Sequence, residues 1–192
     1  MACDTLTLGF DTSAAHCAAA LLSGDRILAA RSEEMTRGQA ERLVPMLQDM
    51  LAANGVDWGD LARLGVGIGP GNFTGIRISV SLARGLALSL GIPAIGIGTL
   101  DAIRAGAPQG TPCVPAPHGQ AYVQPEGGPP QLVALAGIDR PVLPPAPADL
   151  ACAIARLAAL APGDGPPPAP LYVRPADAAP ARDAPPRILD DA

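Results

Sequence analysis

The sequence contains no lysine, and all thirteen of its basic residues are arginines. This absence excludes the phosphate-binding lysine of a P-loop, the strand lysine of a protein kinase and a Schiff-base lysine. Eighteen acidic residues outnumber the arginines and give the chain a formal net charge of −5 at pH 7. Because phosphate neutralisation needs clustered Lys and Arg, a chain with this charge is not expected to bind nucleic acid on its own.

Histidine and cysteine are also scarce. The two histidines, His16 and His118, lie about a hundred residues apart, so they cannot form a helical pair of metal ligands. We therefore predict no metal site and expect His16 to lie in a turn or on the surface. The four cysteines form no C-x-x-C pair and the first residues show no signal-peptide pattern, which favours a reducing, cytoplasmic location.

Proline is rare in the first part of the chain and abundant in the second. Three of the 23 prolines precede residue 108, and the other twenty lie at or after it. Because proline interrupts helices and central strands, only the first part can sustain a full set of regular elements. We therefore predict a first lobe at residues 1–107 and a reduced, proline-rich second lobe with a C-terminal tail at residues 108–192.

The hydrophobic patterns of the first part follow the order β-β-β-α-β-α-β-α, which predicts a mixed sheet with helices packed on it. These patterns lie at residues 5–10, 17–22, 26–31, 39–54, 64–68, 76–90 and 93–97, with a last helix capped by Thr99. Weaker patterns in the second part indicate strands at 113–116, 121–124, 132–136 and 171–174, and a helix at 149–160.

The helix predicted at residues 39–54 is apolar over more of its circumference than one buried face requires. Met46 and Met50 form one edge of this apolar surface. Two interpretations are open: the methionines fill gaps in a deeply packed core, or they offer an adaptable contact surface to a partner helix.

The helix predicted at residues 76–90 is apolar nearly all round, which predicts burial. Ser81, Gly85 and Ser89 recur every four residues, so another helix can approach this side closely. Arg77 and Arg84 interrupt the segment, which argues against a membrane span.

A glycine-rich loop separates the strand at 64–68 from the helix that follows. Gly69, Gly71 and Gly75 let the backbone come close to a phosphate or to another part of the protein, and the sequence does not distinguish the two. The spacing is not G-x-G-x-x-G, so a dinucleotide site of the Rossmann type is excluded.

Four motifs occur in a characteristic order along the chain. They are the triplet Asp11-Thr12-Ser13, the helix start at 39–45, the glycine loop with its helix start at 69–77, and the ending at 172–178. Together they resemble the TsaB family, also called YeaZ, of the bacterial machinery that makes tRNA threonylcarbamoyladenosine. The resemblance spans almost the full chain and is strongest from residue 4 to residue 103.

This resemblance implies an α/β chain with the actin-like ATPase fold (ASKHA, ribonuclease H-like), built from mixed sheets with packed helices in two lobes. It also implies a non-catalytic scaffold that forms a heterodimer with TsaD, the transferase subunit, and helps to recruit the ATPase TsaE. We expect no cofactor of its own, ATP or ADP only at a junction shared with another subunit, and tRNA contact only through the complex. A homodimer is compatible with the same surfaces, and no membrane contact is expected.

The resemblance also implies two sets of site residues. A vestigial nucleotide site would comprise Asp11, Thr12, Gly69, Gly71 and Thr74. The partner interface would comprise Leu43, Met46, Leu47, Met50, Arg77, Ser81, Arg84, Gly85 and Leu88. On this assignment, Met46→Asp should leave the monomer folded and abolish TsaD binding.

Two other functions remain open at this point. The chain could be an actin-like ATPase or small-molecule kinase that acts alone, using Asp11 and the glycine loop. It could also be a glycoprotease-like peptidase, with Ser13 or Cys17 as nucleophile and His16 as base. Residues that neighbour each other on a strand point to opposite faces, which disfavours the peptidase.

Overall fold

The computed structural model describes residues 5–107, 109–125 and 128–173. Its larger sheet has five strands in the order β3-β2-β1-β4-β5. The strands are β1 (Leu6–Asp11), β2 (His16–Ser23), β3 (Arg26–Glu34), β4 (Leu61–Gly67) and β5 (Ala94–Ile97). The first three are antiparallel, as the short turns between them predict, whereas β4 pairs in parallel with both β1 and β5.

Two helices, α1 (Gln39–Ala53) and α2 (Phe73–Leu90), pack on one face of this sheet. Both were predicted; α2 begins three residues earlier than expected because the side chain of Asn72 accepts a hydrogen bond from Gly75 N at 2.9 Å and caps it. The helix α3 (Thr99–Gly106) starts at Thr99, so the prediction of Thr99 as N-cap is wrong. The cap is Gly98, and the buried Thr99 hydroxyl has no partner within the described residues.

The helix α4 (Pro147–Leu160) packs on the opposite face of the same five-stranded sheet. The packing is close because Gly9 and Gly65 face it: a Cβ on either glycine would lie 2.7 Å from the Cβ of Ala155 or Ala158. The assignment of all of residues 108–192 to a second lobe is therefore wrong for this helix, which belongs to the first.

A smaller sheet of four strands, in the order β8-β7-β6-β9, occupies the sequence between α3 and α4. Its strands are β6 (Thr111–Ala116), β7 (Gln120–Val123), β8 (Gln131–Ala134) and β9 (Pro141–Val142). Leu100 and Ile103 of α3 pack against Val114 of this sheet. The sequence predicted three of these strands and missed β9, whose two residues are too few for a pattern.

Residues 161–173 follow α4 and are called the strap here. They run past β5, where Pro168 lies within 3.3 Å of the Cβ position of Gly96, and Leu171 N donates a hydrogen bond to Ile68 O at 2.8 Å. The strand predicted at 171–174 is wrong for residues 171–173, which have no strand assignment. Residues 174–192, including the predicted tail, lie outside the described residues.

Arg63 on β4 fixes the junction between α4 and the strap. Its Nη1 donates hydrogen bonds to the carbonyl oxygens of Ala158, Ala159 and Ala161 at 3.0, 3.1 and 2.8 Å. A guanidinium at the C-terminal end of a helix satisfies carbonyls that have no partner within the helix. The strap therefore starts from a defined position on the first lobe.

The structure settles which way α1 turns its methionines. Met46 and Met50 are both 0% exposed and lie in the core with Leu43 and Leu47. The assignment of Met46, Leu47 and Met50 to a partner interface is wrong, because their side chains are already buried against the sheet. Leu43 is 1% exposed and lies at the floor of a groove between α1 and α2.

The expectation for α2 is wrong in the opposite sense. Its buried residues form one face only, and Leu88 on the other side is 88% exposed. By length and composition alone, α2 also qualifies as a membrane span, although it lies against the sheet and carries Arg77 and Arg84. The exposed side of α2 is therefore a candidate contact surface.

Candidate functional site

The glycine loop holds a turn of its own chain. A Cβ on Gly71 or on Gly75 would collide with the backbone carbonyl oxygens of Ser13 and Thr12, respectively. Hydrogen bonds join the same segments: Thr12 Oγ1 donates to Gly75 O at 2.6 Å, and Asn72 N donates to Ser13 O at 2.6 Å. The missing side chains of this loop therefore make room for the turn between β1 and β2.

Asp11 is the centre of a buried polar cluster in that turn. Its Oδ2 accepts hydrogen bonds from Ser13 N at 3.0 Å and from Ser13 Oγ at 2.9 Å, and His16 Nε2 lies 2.8 Å away. Asp11 is 0% exposed; its Oδ1 lies against Gly67 and has no hydrogen-bond partner in the part of the chain that the structure describes. The expectation that His16 lies in a turn or on the surface is wrong, since His16 begins β2 and is buried by this contact.

The geometry of the cluster does not form a peptidase site. Ser13 Oγ donates its hydrogen bond to Asp11 and not to His16, whose Nε2 faces the same carboxylate. Cys17 is buried with its Sγ 3.6 Å from Met35 Sδ, and burial raises the pKa of the Cys17 thiol to about 11. A thiol with this pKa stays protonated at neutral pH and is a poor nucleophile.

Gln39 ties the same turn to the start of α1, a role that the sequence patterns did not reveal. Its Nε2 donates to Ala14 O at 2.7 Å and to His16 O at 2.8 Å. The preceding Gly38 adopts a left-handed conformation and provides no side-chain cap. In the sequence, the only sign of this junction is a glutamine that directly follows a glycine at the start of a helical pattern.

The predicted nucleotide residues are therefore used within the protein. Asp11 and Thr12 are fully buried, Gly71 packs against the turn, and Gly69 O accepts a hydrogen bond from Thr99 N at 2.8 Å. Thr74 lies apart from them, on the exposed start of α2. Four of the five residues thus contact other parts of the protein, the fifth faces a groove between helices, and the vestigial nucleotide site stays a prediction. Within the described residues, no group of three or more His, Cys, Asp or Glu is arranged to hold a metal ion.

Three grooves take part of their lining from α2, and two of them include residues predicted for the partner interface. The first, called the interhelical groove here, runs between α1 and α2 and has a volume of about 420 Å³. Its lining is mostly apolar and consists of Ala40, Leu43, Val44, Thr74, Arg77, Ile78, Ser81 and Leu82. The second, of about 490 Å³, lies between the end of α2, β5 and the strap, and includes Arg84, Gly85 and Leu88 in its lining. The five α2 residues predicted for a partner interface are thus all on exposed or groove-lining positions.

Several known proteins with similar sequences are named for tRNA threonylcarbamoyladenosine synthesis. A protein-family model described as TsaD, tRNA N6-adenosine threonylcarbamoyltransferase, matches residues 30–138, more than half of the chain. The chain is 40% identical over 100 residues to the tRNA threonylcarbamoyladenosine biosynthesis protein TsaB of Escherichia coli, covering 52% of the chain and 43% of that protein. It is 30% identical over 112 residues to the tRNA N6-adenosine threonylcarbamoyltransferase of Erythrobacter litoralis, covering 50% and 33%.

Solved structures extend the similarity over the fold. A Pseudomonas aeruginosa protein described as similar to peptidase YeaZ superposes with a TM-score of 0.71 at 25% identity, covering 88% of this chain and all of the other. YeaZ from the same organism gives a TM-score of 0.59 at 26% identity, covering 70% and 69%. By contrast, the chain spans less than half the length of the curated TsaB sequences it matches.

These similarities confirm the actin-like α/β fold. The family model and the YeaZ structures match the chain, and its two mixed sheets agree with that fold. The chain belongs to the family of the tRNA N6-adenosine threonylcarbamoyltransferase TsaD and, within it, to the TsaB (YeaZ) group.

Proposed function

We propose that this chain is a non-catalytic subunit in the biosynthesis of tRNA threonylcarbamoyladenosine. It binds a TsaD subunit through the exposed sides of α1 and α2 and supports the transfer that TsaD carries out on the adenosine next to the anticodon. TsaE joins the same complex in the cytoplasm.

The observation that carries this proposal is the contrast between the two sides of the first lobe. On one side, the space beside the glycine loop is filled by the protein itself, because Thr12 and Ser13 occupy it. The exposed side of α2, in contrast, presents apolar grooves and Leu88 to the outside. Contiguous exposed apolar surface of this kind marks interaction sites in globular proteins.

The charge of the chain fits a subunit that does not hold tRNA by itself. With thirteen arginines against eighteen acidic residues, the chain lacks the excess positive charge that phosphate binding needs. We therefore assign tRNA contact to the complex, and any ATP or ADP to a junction shared with another subunit.

We expect the isolated chain to bind Mg-ATP with a Kd weaker than about 1 mM, a free energy of only about −4 kcal/mol. The reason is that Asp11 and Thr12 are buried and bonded internally. Isothermal titration calorimetry measures this directly, with a TsaD protein in the same buffer as positive control. Micromolar binding by the isolated chain would instead favour an ATPase or kinase that acts alone.

Gly85→Leu should reduce TsaD binding at least tenfold, by about 1.4 kcal/mol. Gly85 is exposed and a Cβ there meets nothing within 4 Å, so leucine fits the monomer but prevents close approach of a second helix. Gly106→Leu on α3 is the matched control, since that glycine is also helical, exposed and unobstructed.

Co-expression with TsaD followed by size-exclusion chromatography with light scattering separates the outcomes. The proposal expects a heterodimer for the wild type and for Gly106→Leu, and a monomer for Gly85→Leu. Co-elution of Gly85→Leu with TsaD at wild-type yield would remove this side of α2 from the interface. The same run of the chain alone shows whether a homodimer uses the same surface.

A further inference from the structure

Arg77 is held in a fixed position at the edge of the interhelical groove. Its Cζ lies 3.8 Å from the centroid of the Phe73 ring, and its Nε donates a hydrogen bond to Tyr172 Oη at 2.7 Å. The two aromatic rings also touch each other, with centroids 4.8 Å apart. We call these three residues the arginine clamp.

The clamp joins α2 to the strap. Phe73 and Arg77 are one turn apart near the start of α2, whereas Tyr172 is 95 residues from Arg77 in the sequence. The neighbouring Leu171 N is bonded to Ile68 O at 2.8 Å, which fixes the strap at this point. The Tyr172 hydroxyl is therefore presented to Arg77 by a backbone that is itself anchored.

The clamp leaves the two terminal nitrogens of Arg77 available. One face of the guanidinium is covered by Phe73 and the Nε is used by Tyr172, but Arg77 forms no ion pair with any described residue. It is also the one charged residue in the lining of the interhelical groove. A lone, preoriented guanidinium beside apolar side chains suits a single carboxylate, since planar N–H pairs match carboxylate oxygens.

We propose that Arg77 is the polar anchor of the interface: its terminal nitrogens bind one carboxylate on the helix of the TsaD subunit that occupies the interhelical groove. Tyr172 is a positioning residue that holds the guanidinium in the binding orientation. This proposal rests on the proposed function and adds the chemistry by which the groove recognises its partner.

A helix with one acidic residue fits this groove better than a nucleic acid does. A phosphate backbone is bound by several cations along its length, and the groove offers one. Its other lining residues are apolar or carry small hydroxyl groups, which matches the apolar side of an amphipathic helix.

Three variants and a control test the anchor. Arg77→Gln should weaken TsaD binding by at least about 30-fold, the lower end of the range for truncating one member of a buried charge pair. The Kd of this variant should also depend less on salt concentration between about 50 and 300 mM, because the variant lacks the charge whose attraction salt screens. Arg104→Gln removes an equal charge from α3, outside the grooves beside α2, and should change Kd less than about threefold, as expected for a charge away from the contact.

Tyr172→Phe tests the positioning role, because it removes the hydroxyl and keeps the ring. It should weaken binding about 3- to 10-fold in the wild-type background, the range for one hydrogen bond. In the Arg77→Gln background it should have almost no effect, since the two residues act through one contact. A role limited to strap stability would give the same loss in both backgrounds, and melting temperatures of all variants report that stability separately.

The outcomes separate the two proposals. If the wild type does not bind TsaD, the proposed function fails and this inference fails with it. If the wild type binds and Arg77→Gln binds equally well, or if Arg104→Gln has the same effect, the anchor is overturned while the proposed function stands. Equal losses for Tyr172→Phe in both backgrounds would overturn the positioning role alone.

Discussion

Replacing Gly75 by alanine should lower the melting temperature of the chain by about 6 to 12 °C, which corresponds to about 3 kcal/mol for a domain of this size. The added Cβ would collide with the carbonyl oxygen of Thr12, a backbone atom that cannot rotate away. The same turn is held by the hydrogen bond from Thr12 Oγ1 to Gly75 O, so relief of the clash would also disturb this bond. Thermal unfolding followed by circular dichroism measures the change.

Gly85→Ala in the same helix is the matched control. A Cβ at Gly85 meets nothing within 4 Å, and alanine is a better helix former than glycine by about 0.5 to 1 kcal/mol. The melting temperature of this variant should therefore rise by about 1 to 4 °C. If Gly75→Ala were as stable as Gly85→Ala, the glycine loop would not be needed for packing, and a ligand would again be the better explanation.

The first lobe was largely predictable from the sequence because its elements are local patterns. The alternation of β1 to β3 and the short turns between them fixed their antiparallel order, and the helical spacing at 39–54 gave α1 nearly to its last residue. The glycine loop was recognised as a place of close approach. The sequence does not show what the loop contacts, because a bound phosphate and the backbone of residues 12–13 would both require glycines at these positions.

The errors concern contacts between residues far apart in the sequence. The pattern at 149–160 indicated a helix, but nothing local shows that Ala155 packs against Gly9, nearly 150 residues away. The clamp between Arg77 and Tyr172 was missed for the same reason. The pattern of one helix shows which of its faces is apolar. Whether that face is buried in the monomer depends on the elements that pack against it.

The two long helices show this rule in both directions. The apolar surface of α1 was wide enough to suggest an exposed methionine edge, yet the sheet covers it. The apolar surface of α2 suggested full burial, yet the sheet covers one side only. As a result, α2 supplies most of the available contact surface, and α1 contributes only the residues that line the groove, such as Ala40 and Val44.

Met46→Asp should consequently unfold the monomer, contrary to the expectation from sequence that it would act at an interface. Met46 is 0% exposed and lies in the hydrophobic core, so the aspartate would be a charge buried among apolar side chains. The expected cost is about 5 kcal/mol or more, comparable with the whole stability of an ordinary domain. The variant should be found in the insoluble fraction, or should lack a cooperative thermal transition.

Val44→Asp is the informative counterpart, two residues earlier on the same helix. Val44 is half-buried and lines the interhelical groove, so the carboxylate reaches solvent and the monomer should lose only about 1 kcal/mol. Its TsaD binding should fall at least tenfold, since a partner helix in the groove would bury that charge and place it beside the carboxylate expected at Arg77. A folded Met46→Asp monomer that fails to bind TsaD, together with a Val44→Asp variant that binds normally, would return the interface to the methionine edge.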